Sequence, residues 1–331
     1  MSLKQHEQLN GDHAFIEDQR NETVLIGIRD GVSLEFKLFE RKDAKLSVFD
    51  SSILVGDGIW EGLRVINGNV QYVNEHFERL FDTAYALWID LGLTKRELLQ
   101  LIYDTIDANP GMKESNDVHI RLICTRGLKS TPYQSRKVQI GKSQIIIIPE
   151  YKKVMPESYE NGIKLITSWV RRGNPDTKDE MWNHLSKATD IMASMSAEAA
   201  GADGALMLDH NGFVKTCNAT NFFIVKKGEL WAPTSENQMH GITRQKVLDV
   251  ARAHGLVVKE KNFTNTEAYT ANEAFCTGTF ASQVPVREID GLKIKDGKMG
   301  PITKQISQWY KEDVIKNVTR SREQTLLELE D

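Results

Sequence analysis

The sequence predicts an α+β protein made of two units, and three observations carry that expectation. Its 331 residues exceed the size at which one hydrophobic core keeps growing, so two packed domains are favoured over one. Strand-like and helix-period runs occur on both sides of residue 150. Between them, residues 149–162 carry Pro149, Pro156 and polar residues without periodicity, as a linker does. Hydrophobic residues at 40%, charged residues at 27% and a mean hydropathy of -0.40 describe an ordinary globular chain.

Taken in order, residues 1–22 are polar and read as an N-terminal extension. Residues 23–28 form a strand-like run ending at the turn Arg29-Asp30-Gly31, and residues 32–36 complete a hairpin. Residues 56–62, Gly-Asp-Gly-Ile-Trp-Glu-Gly, read as a glycine-rich turn entering a helix. Over residues 73–91 the side chains Phe77, Leu80, Phe81, Ala84 and Leu87 recur at three- and four-residue spacing, the mark of an amphipathic helix. A second helix over 94–108 is closed by Asn109-Pro110-Gly111. Strand-like runs at 118–124 and 144–148 complete a first unit spanning 23–150, and 151–162 is the linker. The second unit, 163–331, holds a strand at 164–170, a helix at 183–200, a hairpin within 205–231, a helix at 243–254 and further short strands. Residues 311–331 are charge-rich and read as a solvated helix or frayed tail.

Composition excludes several classes of function. Lys and Arg number 42 against 46 Asp and Glu, with no basic stripe, so nucleic acid is not an expected partner. Cys124, Cys217 and Cys276 are odd in number, far apart and form no C-x-x-C pair, which argues against a disulfide framework or a zinc site and for a reducing compartment. The N-terminus lacks the apolar stretch of a secretory signal and no run is long and apolar enough to span a bilayer, so a cytoplasmic protein without a membrane partner is expected.

Three separate features seek an anion. Arg79 shares a helix face with Phe77 and Leu80, points inward, and needs a carboxylate or a phosphate there. Gly241-Ile242-Thr243-Arg244 opens a helix, where unbonded N–H groups and the helix dipole favour negative charge. Gly278-Thr279 follows a strand-like run and sets a hydroxyl beside a permissive glycine. Singly, each reads as a cap, a turn or an ion pair. In this order they resemble a phosphate cradle.

The segments VFDSSILVGDGIWEGLRV, NEHFERLF, HGITRQKVLDVARAHG, FCTGTFASQVPVREIDG and GPIT together resemble the class IV aminotransferases, over residues 25–310. That family includes branched-chain aminotransferases and D-amino acid transaminases. The resemblance implies a fold-type IV, two-domain α+β protein with pyridoxal 5'-phosphate held between the domains. It also implies a homodimer that moves an amino group between an amino acid or amine and a 2-oxo acid. Arg79, the backbone of Ile242 and Thr243, and the Thr279 hydroxyl match the family's phosphate-binding positions.

Two family positions are substituted. The anchoring lysine stands about eleven residues after the pair matching Arg171-Arg172 and about eighteen before the glycine matching Gly201, and both counts reach Asn183. The glutamate that faces the pyridine nitrogen is Thr216, which can hydrogen-bond a neutral ring nitrogen but offers no charge. If residues 183–200 are helical, Lys187 lies one turn from Asn183 on the same face. Three readings of Lys187 stay open: a relocated anchor with Asn183 as a polar orienter, a bystander to a noncovalently bound cofactor in a lyase-type or noncatalytic protein, or a plain surface lysine. Arg121 or Arg126 is expected either to hold a substrate carboxylate or to form a structural ion pair, and Phe49, Trp60 and Trp182 either to wall a side-chain pocket or to pack as core.

Overall fold

The computed structural model describes residues 15–329, among which are two large β-sheets with helices packed against them and two short two-stranded sheets. The first sheet has six strands in the order Phe36–Glu40, Leu25–Arg29, Gln144–Tyr151, Val118–Thr125, Gly58–Ile66 and Asn69–Val70, every neighbouring pair antiparallel. Strand periodicity decides what each face holds. Along Gly58–Ile66 the odd-numbered Ile59, Glu61, Leu63 and Val65 are buried. With Ile120, Leu122 and Cys124 of the next strand they meet Phe77 and Leu80 of the helix Val73–Ala86 and Leu98, Ile102 and Ile106 of the helix Lys95–Asp107. Trp60, Gly62, His119 and Arg121 have the opposite parity and line a cavity instead.

The second sheet has nine strands, running Val214–Cys217, Gly204–Leu208, Ile163–Arg171, Ser282–Ile289, Glu273–Gly278, Asn221–Lys226, Glu229–Ala232 and Val258–Glu260, with Leu292–Lys293 added to Ser282–Ile289. Thr216 also pairs with Asn221, which joins the first strand of that path back to the sixth and curls the sheet. The helix Ala188–Ala199 buries Ala193 and Ala197 against Val170, Ala205 and Met207. The helices Ile242–Ala253 and Pro301–Val318 cover another face through Val247, Leu248, Ile306 and Tyr310.

Four expectations need correcting. The glycine-rich stretch leaves a short helix, Ser51–Val55, through left-handed Gly56 (φ 66) and enters the strand Gly58–Ile66, not a helix. The helix expected over 183–200 begins at Ala188. Residues 183–185 are drawn into extended pairing with the first sheet, Trp60 donating its N–H to the Asn183 carbonyl at 2.9 Å and Leu185 donating to Gly58 at 2.9 Å. Asn183 and Lys187 are therefore not one helical turn apart. The N-terminal extension, of which residues 1–14 lie outside the described residues, is built into the fold: Phe15–Ile16 pairs with Lys153–Val154, and the Asn21 amide exchanges hydrogen bonds of 2.8 and 2.7 Å with the Tyr151 backbone.

The C-terminal end is the fourth. It docks as the helix Arg322–Glu328, with Leu329 buried in the core of the first sheet and Arg322 bonded to Asp107 at 2.7 Å. Isolated leucines in a charged run carry no helix-period signal, so this long-range contact left no mark in the sequence.

Candidate active site

A cavity of about 600 Å³ is lined from both sheets, a volume suited to a cofactor with a small substrate. At one end lies the start of the helix Ile242–Ala253. Gly241 caps it without a side-chain hydrogen bond, so the N–H groups of Ile242 and Thr243 remain for a ligand. A side chain at Gly241 has no room, because its Cβ would stand 2.0 Å from Asn221 Oδ1. The Asn221 amide donates to Gln238 and to the Met239 carbonyl at 2.9 and 3.0 Å and so holds the turn in place.

Arg79 enters from the helix Val73–Ala86. It donates through Nε and Nη2 to Glu61 at 2.8 and 2.6 Å, and through Nη1 to the His240 carbonyl at 2.9 Å. Glu61 is fully buried and also bonds His76 Nδ1 at 2.7 Å. Burial pushes its carboxyl upward, but Arg79 and His76 outweigh that and hold it down to about 2. Arg79 thus has the carboxylate an inward arginine needs, and its terminal nitrogens keep further N–H groups for an anion. Thr279 lines the same cavity, and the nearby Thr277 hydroxyl, also in the lining, is buried without a partner. Open helix-start donors, a clamped guanidinium and an orphaned hydroxyl together fit a phosphate monoester.

Elsewhere in the cavity stand Asn183, buried, and Lys187, half-buried at the non-helical N-cap of Ala188–Ala199. Lys187 Nζ is 3.5 Å from Asp190 Oδ2 and 5.5 Å from the Trp60 ring centroid. Asp190 Oδ1 in turn accepts from Arg172 Nη1 at 2.7 Å, and Arg172 Nη2 is paired with Glu180. Burial pushes the Lys187 pKa down; Asp190 opposes the shift, while Arg172 and Lys178 add to it. Thr216 is buried in the strand Val214–Cys217, paired with Asn221, its hydroxyl donating to the Thr220 carbonyl at 2.7 Å.

The two arginines read as carboxylate holders part company. Arg121 lines the cavity with its guanidinium 3.6 Å above the Trp60 ring centroid. Burial pushes its pKa down, with Glu150 and Glu61 opposing. Arg126 is not part of the lining: Asp57 takes its Nε at 2.5 Å, and the carbonyls of Trp88 and Leu87 take its terminal nitrogens at 2.9 and 3.0 Å. Asp57 neutralises Arg126 in the first unit, so its role is the structural ion pair. Of the three aromatic candidates, Trp60 lines the cavity, Phe49 is exposed at the surface and Trp182 is outside the lining.

Sequence reasoning missed Glu61, Thr277, Lys152 and Phe15, all bearing on this site. Glu61 had a signal, because it keeps the parity of Ile59, Leu63 and Val65 and so had to be buried.

Two sheets, with a phosphate-shaped helix start in the cavity they line, define a fold-type IV protein. The chain belongs to the class IV amino-transferase family, whose model matches residues 58–289. It is 39% identical over 284 residues to a putative branched-chain-amino-acid aminotransferase of Methanocaldococcus jannaschii, covering 85% of this chain and 95% of that one. It is 38% identical over 277 residues to a branched-chain-amino-acid aminotransferase-like protein 1 of Arabidopsis thaliana, covering 83% of this chain and 49% of that one, so it spans about half the length of that relative. The solved branched-chain aminotransferase of the archaeon Thermoproteus uzoniensis with norvaline matches with a TM-score of 0.76 at 30% identity, covering 90% of this chain and 96% of that one.

Proposed function

We propose that this chain is a pyridoxal 5'-phosphate-dependent aminotransferase, moving an amino group between an amino acid or amine and a 2-oxo acid. The observation that carries the reading is a phosphate-shaped donor set and a lysine of lowered pKa lining one cavity in a class IV chain. When bound, the cofactor supplies an electrophilic carbonyl and an electron-withdrawing ring.

This chain's residues do the rest. Ile242, Thr243, Thr279 and Arg79 hold the phosphate and fix the cofactor's position. Arg121, backed by Trp60, takes a substrate carboxylate. Lys187 is the anchor to the cofactor carbonyl and moves the proton at the substrate carbon, because a desolvated amine is neutral over more of the pH range than a free lysine. Asn183, in the position the resemblance gives to the anchor, orients a carboxylate or ring oxygen through its amide. Thr216 would stand toward the ring nitrogen; its hydroxyl proton is committed to the Thr220 carbonyl, so its side chain would offer that nitrogen neither a donated proton nor a charge. The reading includes a cytoplasmic homodimer, its assembly tested by sedimentation across a concentration series.

Asn183 favours a second reading, in which a protein of this fold binds the cofactor without a covalent anchor and is lyase-type or noncatalytic. Borohydride reduction of the cofactor-loaded protein, followed by peptide mapping, separates the two. A pyridoxyl group on Lys187 is expected. A label on another lysine overturns the assignment, and bound cofactor with no label selects the second reading.

A further inference from the structure

We infer that Glu180 and Arg172 are positioning residues for Lys187: with Asp190 they form a row of alternating charges that holds the amine at the cavity wall. The row also governs how readily the amine gives up its proton. The inference rests on the aminotransferase reading for what the amine does, but not for how the row charges it.

The row is assembled from three segments. Lys187 Nζ lies 3.5 Å from Asp190 Oδ2 on the helix Ala188–Ala199. Asp190 Oδ1 accepts from Arg172 Nη1 at 2.7 Å, and Arg172 Nη2 donates to Glu180. Arg172 follows the strand Ile163–Arg171. Its backbone N–H donates to the Leu208 carbonyl at 2.9 Å and its Nε to the Asn237 carbonyl at 3.3 Å, which leaves the guanidinium little freedom. Glu180 comes from the link between that strand and Lys187. Residues 175–177 of the link are exposed, yet Glu180 turns inward, 7% exposed, and also accepts the Gly173 N–H at 3.4 Å. A carboxylate withdrawn from a solvated loop loses its hydration, and the equally buried Arg172 offsets that loss.

The elements around Lys187 contribute charges and a ring. Its own helix gives Asp190, the strand side Arg172, and the link Lys178, whose Nζ is 3.9 Å from Glu180. The first sheet gives the Trp60 ring at 5.5 Å, with Arg121 3.6 Å from the same ring centroid. His184 is paired with Asp57 at 3.9 Å. Burial, Arg172 and Lys178 favour the neutral amine, and Asp190 favours the charged one. Arg172 acts on Lys187 through the carboxylate they share, and Glu180 sets how much of the guanidinium charge is left to do so. The sign of the effect therefore alternates along the row. Asp190 and Glu180 keep the proton on Lys187, and Arg172 drives it off.

The test is acetylation of the full chain by acetic anhydride without cofactor, read at Lys187 by mass spectrometry across a pH series, with exposed Lys227 as the internal control. The neutral amine is the reacting form, so the rate reports the proton. At about pH 7, Glu180→Gln should label Lys187 severalfold faster and Arg172→Gln severalfold slower, while Glu180→Asp stays close to the unmodified chain. Loosening of the fold would instead admit water and move both glutamine variants the same way. Movement of both in one direction, movement of neither, or Lys227 moving together with Lys187 overturns the inference. If Arg172→Gln does not fold, the Glu180 pair decides alone: a faster Glu180→Gln reversed by Glu180→Asp supports the row, and any other result overturns it. Alternating rates without a pyridoxyl label on Lys187 sink only the anchor reading, and a label without alternation sinks only the row.

Discussion

The phosphate end of the cavity and the Lys187 end are built on different principles. At the phosphate end each donor comes from a regular element or its boundary: Arg79 from the middle of Val73–Ala86, Ile242 and Thr243 from the first turn of Ile242–Ala253, Thr277 from the strand Glu273–Gly278. A buried carboxylate, Glu61, locks the one long side chain among them. At the other end Asn183 and Lys187 sit in a non-helical link, held by two backbone bonds to the strand Gly58–Ile66 and by a 3.5 Å contact to Asp190. The contrast teaches that the donors of the proposed phosphate cradle, helix-start backbone, threonine hydroxyls and one clamped arginine, are fixed by regular elements. The position of a reactive amine depends on a segment that can be rewritten.

The largest effect should come from the lock itself. Glu61→Ala leaves Arg79 and His76 buried without their carboxylate and should cost about 3–5 kcal/mol of stability in denaturant unfolding. A loss under about 1 kcal/mol would show that the phosphate end is not rigid in the way described. The same group sets an acid limit. Its folded pKa of about 2 lies below the ordinary 4.5, so its contribution is fully present above pH 4.5 and is lost as pH falls from there toward 2. Acid unfolding of Glu61→Gln should lack that part of the pH dependence.

Next in size, Arg79→Ala should weaken cofactor binding by roughly 1.5–3 kcal/mol, about ten- to a hundredfold, read by titration. Unchanged affinity would remove Arg79 from the cradle. Thr216→Glu tests the other end by returning a charge to the ring nitrogen. It should raise the transfer rate by about tenfold, the scale of one opposite-charge contact. A lower rate would mean that the site has been retuned around the hydroxyl.

The smallest effect sharpens the account of Lys187. Asp190 holds its pKa up against burial, so Asp190→Asn should lower it further and increase the neutral amine near pH 7. Reductive labelling of Lys187 should then be severalfold faster, with its midpoint moved to lower pH. A slower reaction would indicate that Asp190 positions the amine more than it charges it.

What the sequence made legible follows the same division. Arg79 could be placed because Phe77 and Leu80 fix the buried face of its helix, and Ile242 and Thr243 because a glycine precedes a periodic run. Both are local signals. Arg126 was ambiguous because its partner, Asp57, is 69 residues away in sequence and no periodicity relates them. The helix start was misplaced from Ala188 to Asn183 because residues 183–185 pair with a strand more than a hundred residues upstream, a tertiary choice that overrides helical propensity. The glycine-rich stretch was an error of period, since the alternation of Ile59, Glu61, Leu63 and Val65 was there to be read as a strand.

The docked C-terminal helix has a consequence for how the chain is made. The core of the first sheet contains both Val24 and Leu329, and Arg322 reaches back to Asp107 and to the Gly68 carbonyl. A chain emerging N-terminus first can pair most strands of that sheet early, but it cannot close the core until the whole second sheet has been synthesised. Until then the helix Lys95–Asp107, against which the C-terminal helix packs, lacks that partner. The last turn of helix is therefore the step that commits the first unit to its final packing, and removing residues 321–331 should show as slower release from the ribosome-bound state and as aggregation of newly made chains.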